Sequence, residues 1–146
     1  MKVVVDTNIV FSAILNSSSG IGKLLLTQNN KLDFHSCEYL YDEVHEHRAK
    51  LKKLTKLPDD ELDTLIGLVL RNITFINDKL IPAKHTAEAI ELTSGIDTDD
   101  SPFVALALHL KALLWTGDKK LLGGLRKKKV NLVVSTKELL HITAGL

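Results

Sequence analysis

The sequence is short of the residues that mark several protein classes. It has one cysteine, Cys37, in 146 residues. That excludes an internal disulfide and fits a reducing compartment; alone, Cys37 reads as a small buried hydrophobe rather than a reactive thiol. Aromatic residues make up 5% of the chain, so the stacking platforms common in single-strand binders are thin. Nor is there an excess of charge: 19 Lys and Arg against 18 Asp and Glu leave a formal net charge of +1. An anionic partner must therefore be met by a local patch. No apolar run approaches the ~20 residues that span a bilayer. The N-terminal run is too short for a signal peptide and ends at Asp6. The expected location is the cytoplasm, with no membrane partner. There is no paired Cys/His spacing for zinc, no phosphate-binding glycine loop and no Gly-x-Ser-x-Gly. Without repeats, linkers or low-complexity segments, the length fits one domain over residues 1–146.

What is present is an aliphatic core, with a hydrophobic fraction of 45%. The first stretch, Val3-Val4-Val5-Asp6, has no polar face, as expected of a strand buried on both sides. Strands follow at Leu32 to Ser36, Ile73 to Ile76, Ala112 to Thr116 and Val130 to Val134. Helices are expected at Asn8 to Leu15, Ile21 to Asn29 (broken by Asn29-Asn30), from Cys37 onward past Leu51, from Pro58, at Thr86 to Thr93, and at Phe103 to Leu110. A short helix at Lys119 to Leu122 runs into a flexible Gly123-Gly124, and Thr136 to Ile142 closes the chain. Alternating strands and helices argue for a three-layer α/β/α sandwich with a five-stranded, mostly parallel sheet.

Two apolar strands end alike, in Val-Val-Val-Asp6 and Leu-Leu-Trp-Thr-Gly-Asp118. If they are parallel neighbours, both carboxylates leave the sheet at its carboxyl edge, where open α/β folds place their sites. The acidic loop Asp97-Thr-Asp-Asp100 precedes the helix that feeds the second strand. Glu43 would add a fourth acid. Clustered carboxylates raise one another's pKa and are relieved by a hard divalent cation with oxygen ligands. The implied chemistry is metal-assisted hydrolysis of a phosphodiester. Each acid also has a structural reading. Asp6 and Asp118 could cap the helices that follow, and one of Asp97, Asp99 and Asp100 could cap the next.

The chain resembles the PIN domain family of metal-dependent ribonucleases, which includes toxins of toxin–antitoxin pairs. The matching stretches are Val-Val-Asp6-Thr-Asn-Ile-Val, Asp42-Glu43-Val, Asp97-Thr-Asp-Asp100-Ser-Pro-Phe-Val-Ala-Leu-Ala107 and Thr116-Gly-Asp118-Lys-Lys-Leu. The resemblance implies strand order 3-2-1-4-5. It also implies four catalytic acids, Asp6, Glu43, Asp100 and Asp118, with Asp6, Asp100 and Asp118 holding Mg²⁺ or Mn²⁺. Asp100 is preferred over Asp99 because it precedes Phe103 by three positions. Asn8 and Thr116 match the family's polar supports, and Asp97 and Asp99 stand as further supporting residues. The implied substrate is RNA, single-stranded, and the expected protein partners are an antitoxin and a second copy of the chain.

Lys119 and Lys120 directly follow Asp118 and are candidates to hold a phosphate backbone. His45 and His47 lie two apart and cannot share one metal from a regular helix, although His47 shares a face with Glu43. His109 reads as a packed histidine. A non-catalytic metal- or RNA-binding module is the alternative function. A phosphoacceptor receiver fits poorly, since Val130 to Val134 ends at Ser135 rather than at a lysine.

Overall fold

The computed structural model describes residues 1–27 and 31–145. The strands β1 (Lys2–Val5), β2 (Asp33–Cys37), β3 (Ile73–Ile76), β4 (Leu113–Trp115) and β5 (Val133–Val134) form one sheet in the order 3-2-1-4-5. Every pairing is parallel. Val3, Val4 and Val5 of the central strand are fully buried, because a parallel sheet is covered on both faces. Nine α-helices are seen among the described residues: α1 (Thr7–Leu15), α2 (Gly20–Leu26), α3 (Glu38–Glu46), α4 (Arg48–Thr55), α5 (Asp59–Leu70), α6 (Ala83–Thr93), α7 (Ser101–Leu110), α8 (Lys119–Lys127) and α9 (Thr136–Ala144). Helix α1 packs against α2 to α5, while α7 packs on β1, β2 and β4 and against α6, which also meets α8. Phe103, Val104, Ala105, Leu106 and Ala107 make five consecutive buried residues in α7. That continuous burial marks it as the inner helix of its layer. No single helix among the described residues is long and apolar enough to cross a membrane.

The expected helix beginning at Cys37 is two helices. It breaks at His47, whose φ and ψ are −98° and 13°. There the imidazole Nδ1 lies 2.9 Å from the Glu43 carbonyl that the His47 N–H also uses, and the ring packs edge-on against Phe11 at 5.6 Å. Conversely, the short helix expected at 119–122 continues through Gly123-Gly124 to Lys127. Leu121 and Leu125 are both fully buried, so one face of α8 is anchored on either side of the glycines. Gly124 also has a steric role: a Cβ there would lie 2.6 Å from the Ile96 side chain. The fifth strand is shorter than expected. Lys129 sits in the left-handed region at φ 62°, and the Val130 N–H closes α8 by donating to the Leu125 carbonyl. Helix α2 stops at Leu26 rather than Asn29; the break expected at Asn29-Asn30 lies outside the described residues.

Candidate active site

The sheet sets the site by register. Val5 pairs with Trp115, so the next residues, Asp6 and Thr116, face one another across the β1–β4 pair at the carboxyl edge. Both are buried. Asp6 caps α1, its Oδ1 accepting from the Ile9 N–H at 3.0 Å. Asp118 caps α8, its Oδ1 accepting from the N–H groups of Lys120 at 2.9 Å and Leu121 at 3.1 Å. The Thr116 hydroxyl accepts from the Asp118 N–H at 3.0 Å and fixes the turn between them. Capping and site formation thus coexist: each aspartate gives one oxygen to a helix and keeps the other.

The second oxygens are the ones a cation could meet. Asp6 Oδ2 and Asp100 Oδ2 are buried with no hydrogen-bond partner, the only such carboxylate oxygens among the described residues. Carboxylate oxygens from Asp97, Asp100 and Asp118 all lie within 4.8 Å of one another. Asp97 Oδ1 accepts from the Asp99 N–H at 3.0 Å, closing the short 3-10 turn Thr98–Asp100. Asp100 occupies the N-cap position of α7, yet its side chain caps nothing; Pro102, near the start of that helix, has no N–H to satisfy. The Asp100 carboxyl is therefore free to face the other acids.

Burial, opposed by the nearby Thr116 hydroxyl and the Ile9 N–H and reinforced by Asp118 and Glu43, pushes the Asp6 carboxyl up to about 6. Burial and the surrounding Asp6, Asp97, Asp118 and Asp99 push Asp100 up to about 7. Without a cation this cluster resists full ionisation. Unpartnered buried oxygens, mutual repulsion and an all-oxygen donor set together fit a hard divalent ion.

Glu43 reaches the same space from α3. Its Oε1 accepts from the Thr7 hydroxyl at 2.5 Å. A cavity of about 260 Å³ is walled by Asp6, Asn8, Glu43, Asp97, Asp99 and Asp100. Tyr39 and His47 line it too, one turn before and one turn after Glu43. Glu43, Asp99 and Asp100 add to burial in raising the Tyr39 hydroxyl pKa. The sequence-expected acids thus come together at one edge with Asn8 and Thr116. Asp97, expected as a support, belongs to the close trio with Asp100 and Asp118, and Asp6 lines the same cavity as Asp97 and Asp100. Lys119 and Lys120 line a neighbouring cleft instead, with Gly123, Gly124 and Lys127. Thr7, Tyr39, Phe11 and Phe103 were not singled out from sequence. The spacing Tyr39–Glu43–His47 was a usable signal, because residues four apart share a helix face. Cys37 is buried and its thiol is pushed up to about 12 by burial, as expected of a packed hydrophobe.

The family model for the PIN domain matches residues 4–139. Among curated proteins, none matches the sequence. Among solved structures, the chain resembles VapBC2 from Rickettsia felis, bound to a DNA fragment from its promoter, with a TM-score of 0.66 and 15% identity over 92% of this chain and 97% of that one. A Pyrobaculum aerophilum protein gives a TM-score of 0.67 at 14% identity, covering 100% of this chain and 91% of that one. A toxin–antitoxin complex from Klebsiella pneumoniae gives 0.61 at 18% identity, covering 92% and 97%. At these identities the likeness concerns the fold.

Proposed function

The chain belongs to the PIN domain family, and from that premise we propose that it is a divalent-metal-dependent endoribonuclease, the toxin of a toxin–antitoxin pair. The observation that carries the reading is the pair of buried, unpartnered carboxylate oxygens on Asp6 and Asp100, beside the close approach of Asp97, Asp100 and Asp118. Asp6, Asp100 and Asp118 would hold Mg²⁺ or Mn²⁺, with Asp97 as a further donor. Bound there, the ion would supply Lewis acidity, activating water and neutralising charge on a phosphodiester.

The protein's own contribution is positioning. Glu43, held through Oε1 by Thr7, keeps its other oxygen to orient the attacking water and take its proton. Asn8, exposed on the cavity wall, offers an amide to a phosphate oxygen. Thr116 fixes the backbone of Asp118, and so the direction of its carboxylate. Asp99, on the same wall, adds negative charge that favours a cation. The proposed substrate is single-stranded RNA, which an open site at the sheet edge admits.

The test is cleavage of single-stranded RNA by the purified chain with Mg²⁺ or Mn²⁺, against EDTA and against Asp6→Asn and Asp118→Asn. Activity surviving both substitutions removes the assigned site. Cation binding without cleavage makes the fold a non-catalytic metal- or RNA-binding module. Two of the similar solved structures are described as VapBC2 and as a toxin–antitoxin complex, which supports an antitoxin partner here. Growth arrest on expression, relieved by the neighbouring gene's product, checks that role. Sedimentation of the isolated chain checks for a homodimer.

A further inference from the structure

Helix α8 leaves the acid cluster at Asp118 carrying lysines at both ends and no side chains in between on one face. Lys120, Gly123, Gly124 and Lys127 fall at i, i+3, i+4 and i+7, a single stripe. Together with the turn Ser94-Gly95-Ile96 they line a cleft of about 430 Å³. Lys119, Lys120 and Lys127 are exposed and enter no ion pair among the described residues. Their neighbours differ. Arg126 is paired with Glu138 at 2.6 Å. Lys128 Nζ donates to the carbonyls of Leu92 and Ser94, each at 2.8 Å, and so ties the end of α6 to the end of α8. One set of cations builds the cleft, and the other is left unused along it.

The two glycines have different reasons. Gly124 lets Ile96 approach, whereas a Cβ at Gly123 would meet nothing within 4 Å. A mid-helix glycine costs about 1 kcal/mol against alanine, and packing does not explain the one at Gly123. Its effect is a bare backbone floor between two free ammonium groups. Both walls also lead to the acids. Helix α8 starts at Asp118, and the opposing turn, tightened by Gly95 at φ 79°, runs through Ile96 straight into Asp97.

We propose that this cleft is the track along which the RNA backbone leaves the catalytic edge, with Lys120 and Lys127 pairing with phosphates and Gly123 letting the strand lie on the helix. The inference rests on the nuclease reading and extends it by naming where the rest of the strand goes. Lys120 and Lys127 are seven residues apart, about 10 Å along the helix axis, so more than one nucleotide beyond the scissile bond is engaged. No aromatic residue lines the track, so it touches the backbone and binds independently of sequence.

Fluorescence anisotropy with a labelled single-stranded RNA oligonucleotide, in EDTA to prevent turnover, tests the track. The double variant Lys120→Ala, Lys127→Ala should bind about tenfold more weakly, and its log–log salt slope should fall by about 1.4, roughly 0.7 for each phosphate no longer neutralised. Gly123→Leu should stay folded, because its side chain projects into open space, and should also weaken binding. Lys137→Ala on α9 should bind as the wild type. An unchanged affinity and slope for the lysine variant overturns the proposal, as does a loss confined to an acidic protein partner with RNA binding intact. The cleavage assay separates the two readings. Lysine-dependent RNA binding without Mn²⁺-dependent cleavage defeats the nuclease and leaves the track. Cleavage with KM and salt slope untouched in the lysine variant defeats the track alone.

Discussion

Replacing Asp6 by asparagine should stabilise the metal-free protein while abolishing the proposed nuclease activity. Asp6 is 2% exposed, and its carboxyl is raised from 3.8 to about 6. Because the folded-state value is the higher one, folding favours the protonated form. Wild-type stability is then greatest below the unfolded value near 4, falls as the pH rises through about 6, and levels off above it. The full cost of ionising the buried group is about 3 kcal/mol, at about 1.4 kcal/mol for each tenfold change in acidity. Asparagine cannot ionise, and it caps helices as well as aspartate, so the bond from the Ile9 N–H survives. Its amide N–H₂ would also face Asp118 and Glu43 as a donor rather than as a third negative charge. In EDTA, Asp6→Asn should be more stable than the wild type by about 2–3 kcal/mol at pH 8, equivalent to roughly 10 °C in melting temperature for a chain of this size. The difference should vanish near pH 4. Adding Mn²⁺ should raise the wild type toward the variant and raise the variant, which keeps Asp97, Asp100 and Asp118, by less. Urea or thermal unfolding across that pH range, with and without the ion, measures each quantity. A variant that unfolds earlier than the wild type at pH 8, or a difference independent of pH, would refute the account of Asp6 as a strained carboxylate held for a cation.

Asp100, pushed up to about 7, must release its proton to ligate. Cation affinity should therefore tighten as the pH rises from 6 to 8, with proton release visible by calorimetry in buffers of different ionisation heat. Thr7→Val removes the hydroxyl that holds Glu43 without changing side-chain shape. It should lower kcat about tenfold, worth about 1.4 kcal/mol, while KM and cation affinity stay near wild type in steady-state and titration measurements. Gly123→Ala should stabilise the protein by about 1 kcal/mol, whereas Gly124→Ala, driven onto Ile96, should lose that gain and cost about 1–3 kcal/mol of overpacking; the pair of melting curves decides. Ser135→Ala deletes one half of the capping box that starts α9 and should cost about 1 kcal/mol in thermal unfolding.

The sheet was legible because burial leaves a strong mark. Val3-Val4-Val5 and Leu113-Leu114-Trp115 could only be interior strands, and their shared ending in aspartate pointed to a common edge. The strand order needed the family resemblance, since nothing in residue spacing sets β1 beside β4 before β5. The helix break at His47 was not legible, because it depends on an imidazole meeting the Glu43 carbonyl and on Phe11 arriving from α1. Gly123-Gly124 misled for a related reason. Glycine reads as a breaker, yet Leu121 and Leu125 hold α8 to the core across it. At the site, residue type named the acids, but only coordinates give each oxygen its neighbour. They draw Asp97 in beside Asp100 and Asp118 and attach Thr7 to Glu43.

The division of oxygens in Asp6 and Asp118 bears on how such a protein can change. At both positions the helix start fixes the side chain's length and leaves its charge unconstrained. Asparagine satisfies the first requirement and fails the second, so a single exchange at either place would leave the backbone in register and the chemistry gone. A silent copy of this protein is therefore one substitution away, still folded and with every surface a partner could touch still on display. On the proposed function, such a copy would compete for an antitoxin and for RNA while cutting nothing. Inactivation here would produce a decoy rather than debris.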